Sequence, residues 1–184
     1  MMAHAYSDMP YFFNPSLHMA EEAKVEAYEI IIAELNALLK DETDVVLKMV
    51  SINCILRSHL IHCYWLGFYC VKDEALIVGP YQGTLGCLHI EFKKGVCGAV
   101  AHTQQTKIVN DVHALSQGVD HITCDPNSKS EIVLPVFNHE NKLIAVFDID
   151  SSELSSFTTT DQRYLEQILQ THFGSFPLTQ TSYL

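Results

Sequence analysis

Apolar residues recur with helical spacing in the first third of the chain. From Ser16 to Lys40, leucine, isoleucine, valine and tyrosine fall mostly on one helical stripe, with acidic residues opposite. A second apolar face of helical period runs from Asp44 to about His59. We therefore predict two helices here, with Ser16 as the cap of the first.

The hydrophobic period then changes to that of β-strands. Segments 63–71 and 75–82 are rich in aromatic and β-branched residues, and a charged turn at 72–74 separates them, which predicts a hairpin. A second hairpin is predicted from strands at 130–137 and 142–150, joined by the polar turn NHEN.

Shorter elements are predicted between and after the two hairpins. Gly95 to about Thr103 is typical of a short helix opened by a glycine turn, and the strand TKIVND follows it. Val112 to Ser130 has little periodicity, which indicates a long loop of the kind that often carries function. A last helix begins near Thr160. This order predicts an α+β fold, a single domain with a central antiparallel sheet flanked by helices.

Length and composition also fit one globular domain. The chain has 184 residues, 48% hydrophobic and 18% charged, enough for one full core and too short to expect two. We predict an N-terminal extension over 1–15, the domain over 16–174 and a C-terminal tail over 175–184.

Charge and targeting signals narrow the function classes. Lys and Arg number 11 against 22 Asp and Glu, and the net charge of −11 disfavours binding to nucleic acid or to anionic membranes. The apolar runs are strand-sized, and the N-terminus lacks the pattern of a signal peptide. We expect a cytoplasmic protein whose six cysteines remain mainly thiols, available for redox, catalytic or metal roles.

The cysteines divide into two groups by their surroundings. Cys124 lies in a polar loop beside Asp125, where burial is less natural, and Cys97 lies at a predicted helix start, which would lower its pKa. Cys87 follows a glycine-rich bend. Cysteines on apolar segments are expected in the core: Cys54, Cys63 and Cys70.

Three acidic residues lie on or at the ends of predicted strands: Glu131, Asp148 and Asp150. Asp148 and Asp150 share a face because side chains alternate with period 2. If that face is buried, like charges raise at least one pKa and keep a proton available at neutral pH. The alternative is a solvated strand end with a turn acid.

Trp65 and Tyr69 also share a strand face and could form an aromatic wall, although such pairs are more often plain core.

Potential metal ligands occur at 59–63 and 113–124, but neither group has C-x2-C or H-E-x-x-H spacing, so we predict no metal site and no cofactor. His121 could instead lower the pKa of Cys124.

A set of short motifs resembles the free methionine-(R)-sulfoxide reductases, single-domain GAF proteins that act on the free amino acid. The resemblance covers about Tyr64 to Leu169 and rests on these segments: WLGFY at 65–69, GPYQG at 79–83, Cys87, GVCG at 95–98, CD at 124–125, SEIV at 130–133 and DIDS at 148–151. Two features depart from the family: His89 stands where many relatives have arginine, and the loop over 112–124 is slightly expanded.

The resemblance implies reduction of free L-methionine (R)-S-oxide. It implies that Cys124 attacks the sulfoxide and becomes a sulfenic acid, that Cys97 resolves it as a disulfide, and that Cys87 is a second recycling thiol. Thioredoxin would then reduce the disulfide. The substrate would be bound by the acids and the aromatic wall: Glu131, Asp148, Asp150, Trp65 and Tyr69.

Other interpretations of the sequence stay open. A GAF domain could act as a ligand-binding or redox sensor without turnover, and a zinc-stabilised binding module is a third class. The amphipathic N-terminal helices could pack on their own sheet or on a partner's, so a homodimer is possible.

Overall fold

Six strands pair into one antiparallel sheet. The computed structural model describes residues 18–115 and 125–174, and within them the strands are β1 (Trp65–Lys72), β2 (Ala75–Gln82), β3 (His89–Glu91), β4 (Lys107–Val109), β5 (Ser130–Phe137) and β6 (Leu143–Ser151). Their order in the sheet is β3-β2-β1-β6-β5-β4. Both predicted hairpins are confirmed, and pairing of β1 with β6 joins them at the centre of the sheet.

Four helices lie near the predicted segments: α1 (Glu21–Leu38), α2 (Val45–His59), α3 (Gly95–Thr103) and α4 (Thr159–Leu169), with a 3-10 turn at Val112–Ala114 and a π-helical turn at Gln170–Gly174. The predicted cap of α1 is wrong, because the helix begins at Glu21 with Ala20 at its N-cap position. Asp44 caps α2, because its Oδ1 accepts hydrogen bonds from the backbone of Val46 and Leu47. Thr158 and Asp161 form a capping box at the start of α4. The predicted α+β fold, a sheet flanked by helices, is thus confirmed.

Strand alternation divides the core into two layers, one on each face of the sheet. Side chains such as Leu66, Phe68 and Phe147 face the layer formed with α1, α2 and α4. Side chains on the opposite face pack against α3, and these include Trp65, Tyr69, Val133 and Val146. The central strand side chains of the first layer are apolar, so the strand positions free for polar chemistry lie on the α3 side.

A buried ionic network crosses the first layer. Lys24 of α1 donates to Asp161 Oδ2 of α4 at 2.6 Å, and the Tyr28 hydroxyl donates to Asp161 Oδ1 at 3.0 Å. Lys24 also donates to the carbonyl of Ser156 at 2.6 Å. The network ties α1 to α4, because the buried Lys24 ammonium and the Asp161 carboxylate offset each other's charge.

The structure differs from the sequence-based predictions at Cys54 and at strand β3, and it does not describe the two terminal segments. Cys63 and Cys70 are buried as predicted, but Cys54 is exposed on α2, where its sulfur accepts a hydrogen bond from Gln82. Strand β3 was not predicted, because three residues are too short to show a period. The predicted extension over 1–15 and tail over 175–184 lie outside the described residues, so these boundaries stay predictions.

In the described part of the chain, no helix has the length and apolar character needed to cross a membrane.

Candidate active site

A cavity opens on the α3 side of the sheet, beside the loop over 83–88 that follows β2. Trp65 and Tyr69 of β1 line it from one face of the strand, as predicted, and their rings stack with centroids 5.7 Å apart. Tyr81 also stacks on Trp65, at 5.3 Å. These rings therefore belong to the core and also form one wall of the cavity.

Gly83 lets the loop fold tightly over this wall. Its φ is +137°, a conformation that favours glycine, and a Cβ at this position would lie 2.5 Å from Trp65 Cδ1. The close approach allows Trp65 Nε1 to donate to the carbonyl oxygen of Thr84 at 3.0 Å. The bend thus fixes both the indole ring and the start of the loop that contains Cys87.

The three predicted acids meet in the same cavity. Sheet register puts Asp150 opposite both Trp65 and Glu131, and Asp148 lies two residues earlier on the same face. One carboxylate oxygen from each acid lies within 4.8 Å of the other two. Glu131 and Asp148 are only 5% and 6% exposed, so the alternative of a solvated strand end is wrong.

Burial raises the pKa of two of these acids, Asp148 and Glu131, as predicted for a buried face. Loss of hydration raises the pKa of Asp148 well above its usual range, and the charges of Asp150 and Glu131 raise it further. Burial, followed by the charge of Asp150, raises the pKa of Glu131 in the same way. Asp148 Oδ1 has no hydrogen-bond partner among the described residues, so this oxygen is available to a bound molecule.

Cys97 lies in the first turn of α3, but its pKa is raised rather than lowered. Burial raises it most, and the negative charges of Asp148 and Glu131 add to the effect. A helix N-terminus favours a thiolate, yet desolvation and two nearby carboxylates outweigh that preference. Cys97 is therefore a neutral thiol that is hydrogen-bonded to Asp148.

Cys87 differs from the other described cysteines because it is disulfide-bonded. The remaining described cysteines are free thiols: Cys54, Cys63, Cys70 and Cys97. The backbone of Cys87 hydrogen-bonds the Tyr69 hydroxyl, so this half-buried residue adjoins the aromatic wall. The predicted nucleophile Cys124 and its neighbour His121 lie outside the described residues, which resume at Asp125 in the cavity lining.

Comparison with known proteins identifies the family. A GAF-domain model matches residues 53–171. A relative from Escherichia coli (strain K12), named free methionine-R-sulfoxide reductase, is 36% identical over 146 residues that cover 79% of this chain and 86% of the relative. The chain belongs to the free methionine-R-sulfoxide reductase family of GAF domains.

Two solved structures of this reductase family resemble the chain closely. The structure of fRMsr of Staphylococcus aureus in its reduced form matches with a TM-score of 0.75 and 36% identity, covering 79% of this chain and 92% of that one. The free methionine-R-sulfoxide reductase from Neisseria meningitidis, in complex with its substrate, matches with a TM-score of 0.74 and 34% identity, covering 86% and 94%.

The cavity of this reductase-family chain also contains polar residues for which the sequence predicted no role in the site. They are Thr84, Lys94, Asp125 and Ser128. Ser128 Oγ donates to Asp150 Oδ1, which orients that carboxylate. The polar run DPNSK directly after Cys124 could have indicated Asp125 and Ser128, whereas Thr84 and Lys94 carry no comparable signal.

The two departures from the reductase family have different positions. His89 is exposed on β3 and pairs with Ile77 at the sheet edge, so this change lies on the surface. The expanded loop over 112–124 lies largely outside the described residues.

The acids are also the one set of three possible metal-ligand atoms that the described residues bring together. Carboxylate oxygens suit a hard cation, and they suit an ammonium group by the same charge. The histidines at 59–63 that could have bound zinc do not converge on one point. His59 Nε2 pairs with exposed Glu34 at 3.1 Å, whereas His62 is buried with its Nε2 3.7 Å from Asp161.

Proposed function

We propose that this protein reduces free L-methionine (R)-S-oxide to L-methionine. One juxtaposition carries the proposal: buried carboxyl groups with raised pKa values face an aromatic wall beside a disulfide-bonded cysteine. Aromatic faces suit a methyl-thioether group, and carboxylates suit an ammonium group. The relatives named as reductases of this substrate support the same conclusion.

In the proposed first step, Cys124 attacks the sulfoxide sulfur as a thiolate. The sulfoxide oxygen takes a proton and passes to the cysteine sulfur, so that Cys124 becomes a sulfenic acid and methionine leaves. We assign the proton donor to Asp148, because its pKa is raised by burial and its Oδ1 has no partner among the described residues. Asp150 then pairs with the substrate ammonium, and Glu131 accepts a hydrogen bond from it through its carbonyl oxygen.

We propose that Cys87, rather than Cys97, resolves the sulfenic acid. The Cys87 thiol condenses with it, which forms the disulfide and releases water. Cys87 is disulfide-bonded, whereas Cys97 is a free, buried thiol with a raised pKa, and a buried neutral thiol is a poor nucleophile. Thioredoxin restores both thiols by dithiol exchange, in the cytoplasm where free cysteines stay reduced.

The reaction is tested with both epimers of free methionine sulfoxide and with either dithiothreitol or thioredoxin, its reductase and NADPH. We expect the R epimer to be converted to methionine and the S epimer to remain. An N-acetylated R epimer is the matched control, because it lacks the ammonium group that the acids would bind. Failure to consume the free R epimer with both reductants would contradict the proposed function and favour a sensor.

The resolving cysteine is tested by comparing Cys87→Ser with Cys97→Ser. With one equivalent of the R epimer and no reductant, we expect both variants to form methionine. Thiol counting and mass spectrometry should then detect a disulfide in Cys97→Ser and a trapped sulfenic acid in Cys87→Ser. The reverse pattern would return the resolving role to Cys97.

The homodimer suggested by the sequence stays a proposal. The N-terminal helices pack on their own sheet, yet their outer faces keep large apolar residues exposed: Ile30, Leu38, Leu47 and Val50. Light scattering of the purified protein would decide between a monomer and a dimer.

A further inference from the structure

We infer that Asp125 is a positioning residue that holds the segment after Cys124 against the loop that contains Cys87. In this role it controls formation of the disulfide rather than attack on the sulfoxide. The inference rests on the proposed function, in which Cys124 and Cys87 supply the two sulfur atoms.

The carboxylate of Asp125 joins three separate parts of the chain. Its Oδ2 accepts hydrogen bonds from the hydroxyl of Tyr64 at 2.9 Å and from Thr84 Oγ1 at 2.5 Å. Its Oδ1 accepts from the backbone N–H of Asn127 at 2.8 Å and from Asn127 Nδ2 at 3.0 Å. Both oxygens are therefore fully used by protein donors, although Asp125 lines the substrate cavity.

These contacts stiffen the chain directly after Cys124. The Oδ1 contact with the backbone of Asn127 is an Asx turn, and Pro126 fixes one more backbone dihedral within it. The carbonyl of Asp125 also accepts from the backbone of Ser128 at 3.3 Å. The Asp125 side chain and carbonyl thus fix the conformation of the segment from Asp125 to Ser128.

The other side of the clamp is the loop of Cys87. Thr84, which donates to Asp125, lies three positions before Cys87. The Thr84 carbonyl is held by Trp65 Nε1 at 3.0 Å, and the Cys87 backbone is held by the Tyr69 hydroxyl. Asp125 therefore connects the chain next to one sulfur with a loop that is anchored near the other.

The need for such a clamp differs between the two chemical steps. A disulfide forms only when the two Cα atoms come within about 4.4–6.8 Å in a restricted geometry, so both loops must be held together. Attack on the sulfoxide uses a small ligand that the cavity can bind without this contact. Among the described residues, the side-chain partners of Asp125 do not include the acids that we assign to the substrate.

The inference is tested with Thr84→Val, which keeps the shape and removes the hydroxyl, and with Thr84→Ser as the matched control that keeps it. Asp125→Asn is a second variant, because an amide in either orientation leaves two of the four donors without an acceptor. Reduced protein is mixed with one equivalent of the R epimer and no reductant. Rapid quenching then measures methionine, free thiols, and sulfenic acid trapped by dimedone.

We expect Thr84→Val and Asp125→Asn to slow thiol loss on the order of tenfold more than methionine formation, because a hydrogen bond to a charged group is worth about a factor of ten or more. Sulfenic acid should accumulate in both variants, and Thr84→Ser should behave as wild type. Equal slowing of the two steps, or no slowing, would overturn the inference. Wild-type protein that makes no methionine would instead remove the proposed function and this inference with it.

Discussion

Two buried aspartates on opposite sides of the sheet differ in their neighbours. Asp161, on the helix side, is fully buried, and burial alone would raise its pKa. The adjacent His62 and the hydrogen-bonded ammonium of Lys24 reverse that effect and lower the pKa of Asp161 to about 2. Asp148, on the α3 side, is nearly as buried, but its charged neighbours are Asp150 and Glu131, so its pKa is raised.

The difference separates a structural carboxylate from the one that we propose as the proton donor. Where donors surround a carboxylate, the charge is stable and its removal costs folding free energy. Where other acids surround it, the ionised form is disfavoured, and the group can hold a proton for a ligand. Burial is common to both sites, so the neighbours decide the role.

The first test is Asp148→Asn, which keeps the shape of the side chain and removes its acidic proton. If Asp148 is the proton donor, we expect kcat for the R epimer to fall roughly 10³-fold, the middle of the range for a general acid. The melting temperature should not fall, because the substitution removes a charge that the site disfavours. Retention of full turnover would remove Asp148 from the mechanism.

The second test is Asp161→Asn, the same substitution on the other side of the sheet. We expect the free energy of unfolding to fall by about 3 kcal/mol, since it leaves buried Lys24 without its carboxylate. Chemical denaturation measures this loss. Turnover per folded molecule should stay near wild type. An activity loss as large as that of Asp148→Asn would contradict a purely structural role for Asp161.

A third test uses pH, because the two sites should shift stability in opposite directions. The pKa of Asp161 is lowered from 3.8 to about 2. Between these values the unfolded chain binds a proton that the folded chain does not, so stability rises with pH there. This group contributes about 2 kcal/mol above pH 5, which is lost as the pH falls towards 2.

The raised pKa values of Asp148 and Glu131 change folding stability with pH in the opposite direction. Above pH 4.5, the ordinary value for Glu131, the unfolded chain has released protons that the folded chain retains, so stability falls as pH rises. Unfolding free energies of wild type, Asp161→Asn and Asp148→Asn should be measured from about pH 2.5 to pH 8. In wild type we expect the unfolding free energy to rise with pH below pH 4 and to fall with pH above it. Asp161→Asn should lack the rise, and Asp148→Asn should show a shallower fall. Parallel curves would contradict both assignments.

The arrangement of acids and aromatic residues on the α3 side was largely predictable from the sequence. Period-2 alternation puts Trp65 with Tyr69 and Asp148 with Asp150 on single strand faces, and hairpin pairing then brings these strands together. The direction of the Asp148 pKa follows from the same pattern, because acids on one buried face must repel each other.

The ionic network on the helix side was not predictable, because it joins residues that are far apart in the chain. The sequence also does not show which helix side chains face solvent. Lys24 and Asp161 are 137 positions apart in the chain, and no local period indicates that they meet. Cys97 shows the same limit, since a helix start predicts a lowered pKa until Asp148 and Glu131 are known to lie beside it. Cys54 was misassigned because an apolar helix leaves open which residues face solvent.

The last and smallest expected effect is the coupling between Lys24 and Asp161. Lys24→Met alone leaves a buried carboxylate without its cation, and Asp161→Asn alone leaves a buried ammonium group. The double variant contains neither unpaired charge. We therefore expect its loss of unfolding free energy to be smaller than the sum of the two single losses by about 1–2 kcal/mol.

The exposed pair of Lys94 and Glu91, at 2.8 Å, is the matched control for this coupling. Its double-mutant cycle, with Lys94→Met and Glu91→Gln, should give a coupling close to zero, because solvent screens exposed charges. Equal couplings in the two cycles would mean that burial does not strengthen the Lys24–Asp161 pair. In that case the low pKa of Asp161 would have to come from its other neighbours, His62, the Tyr28 hydroxyl and the backbone of Thr158.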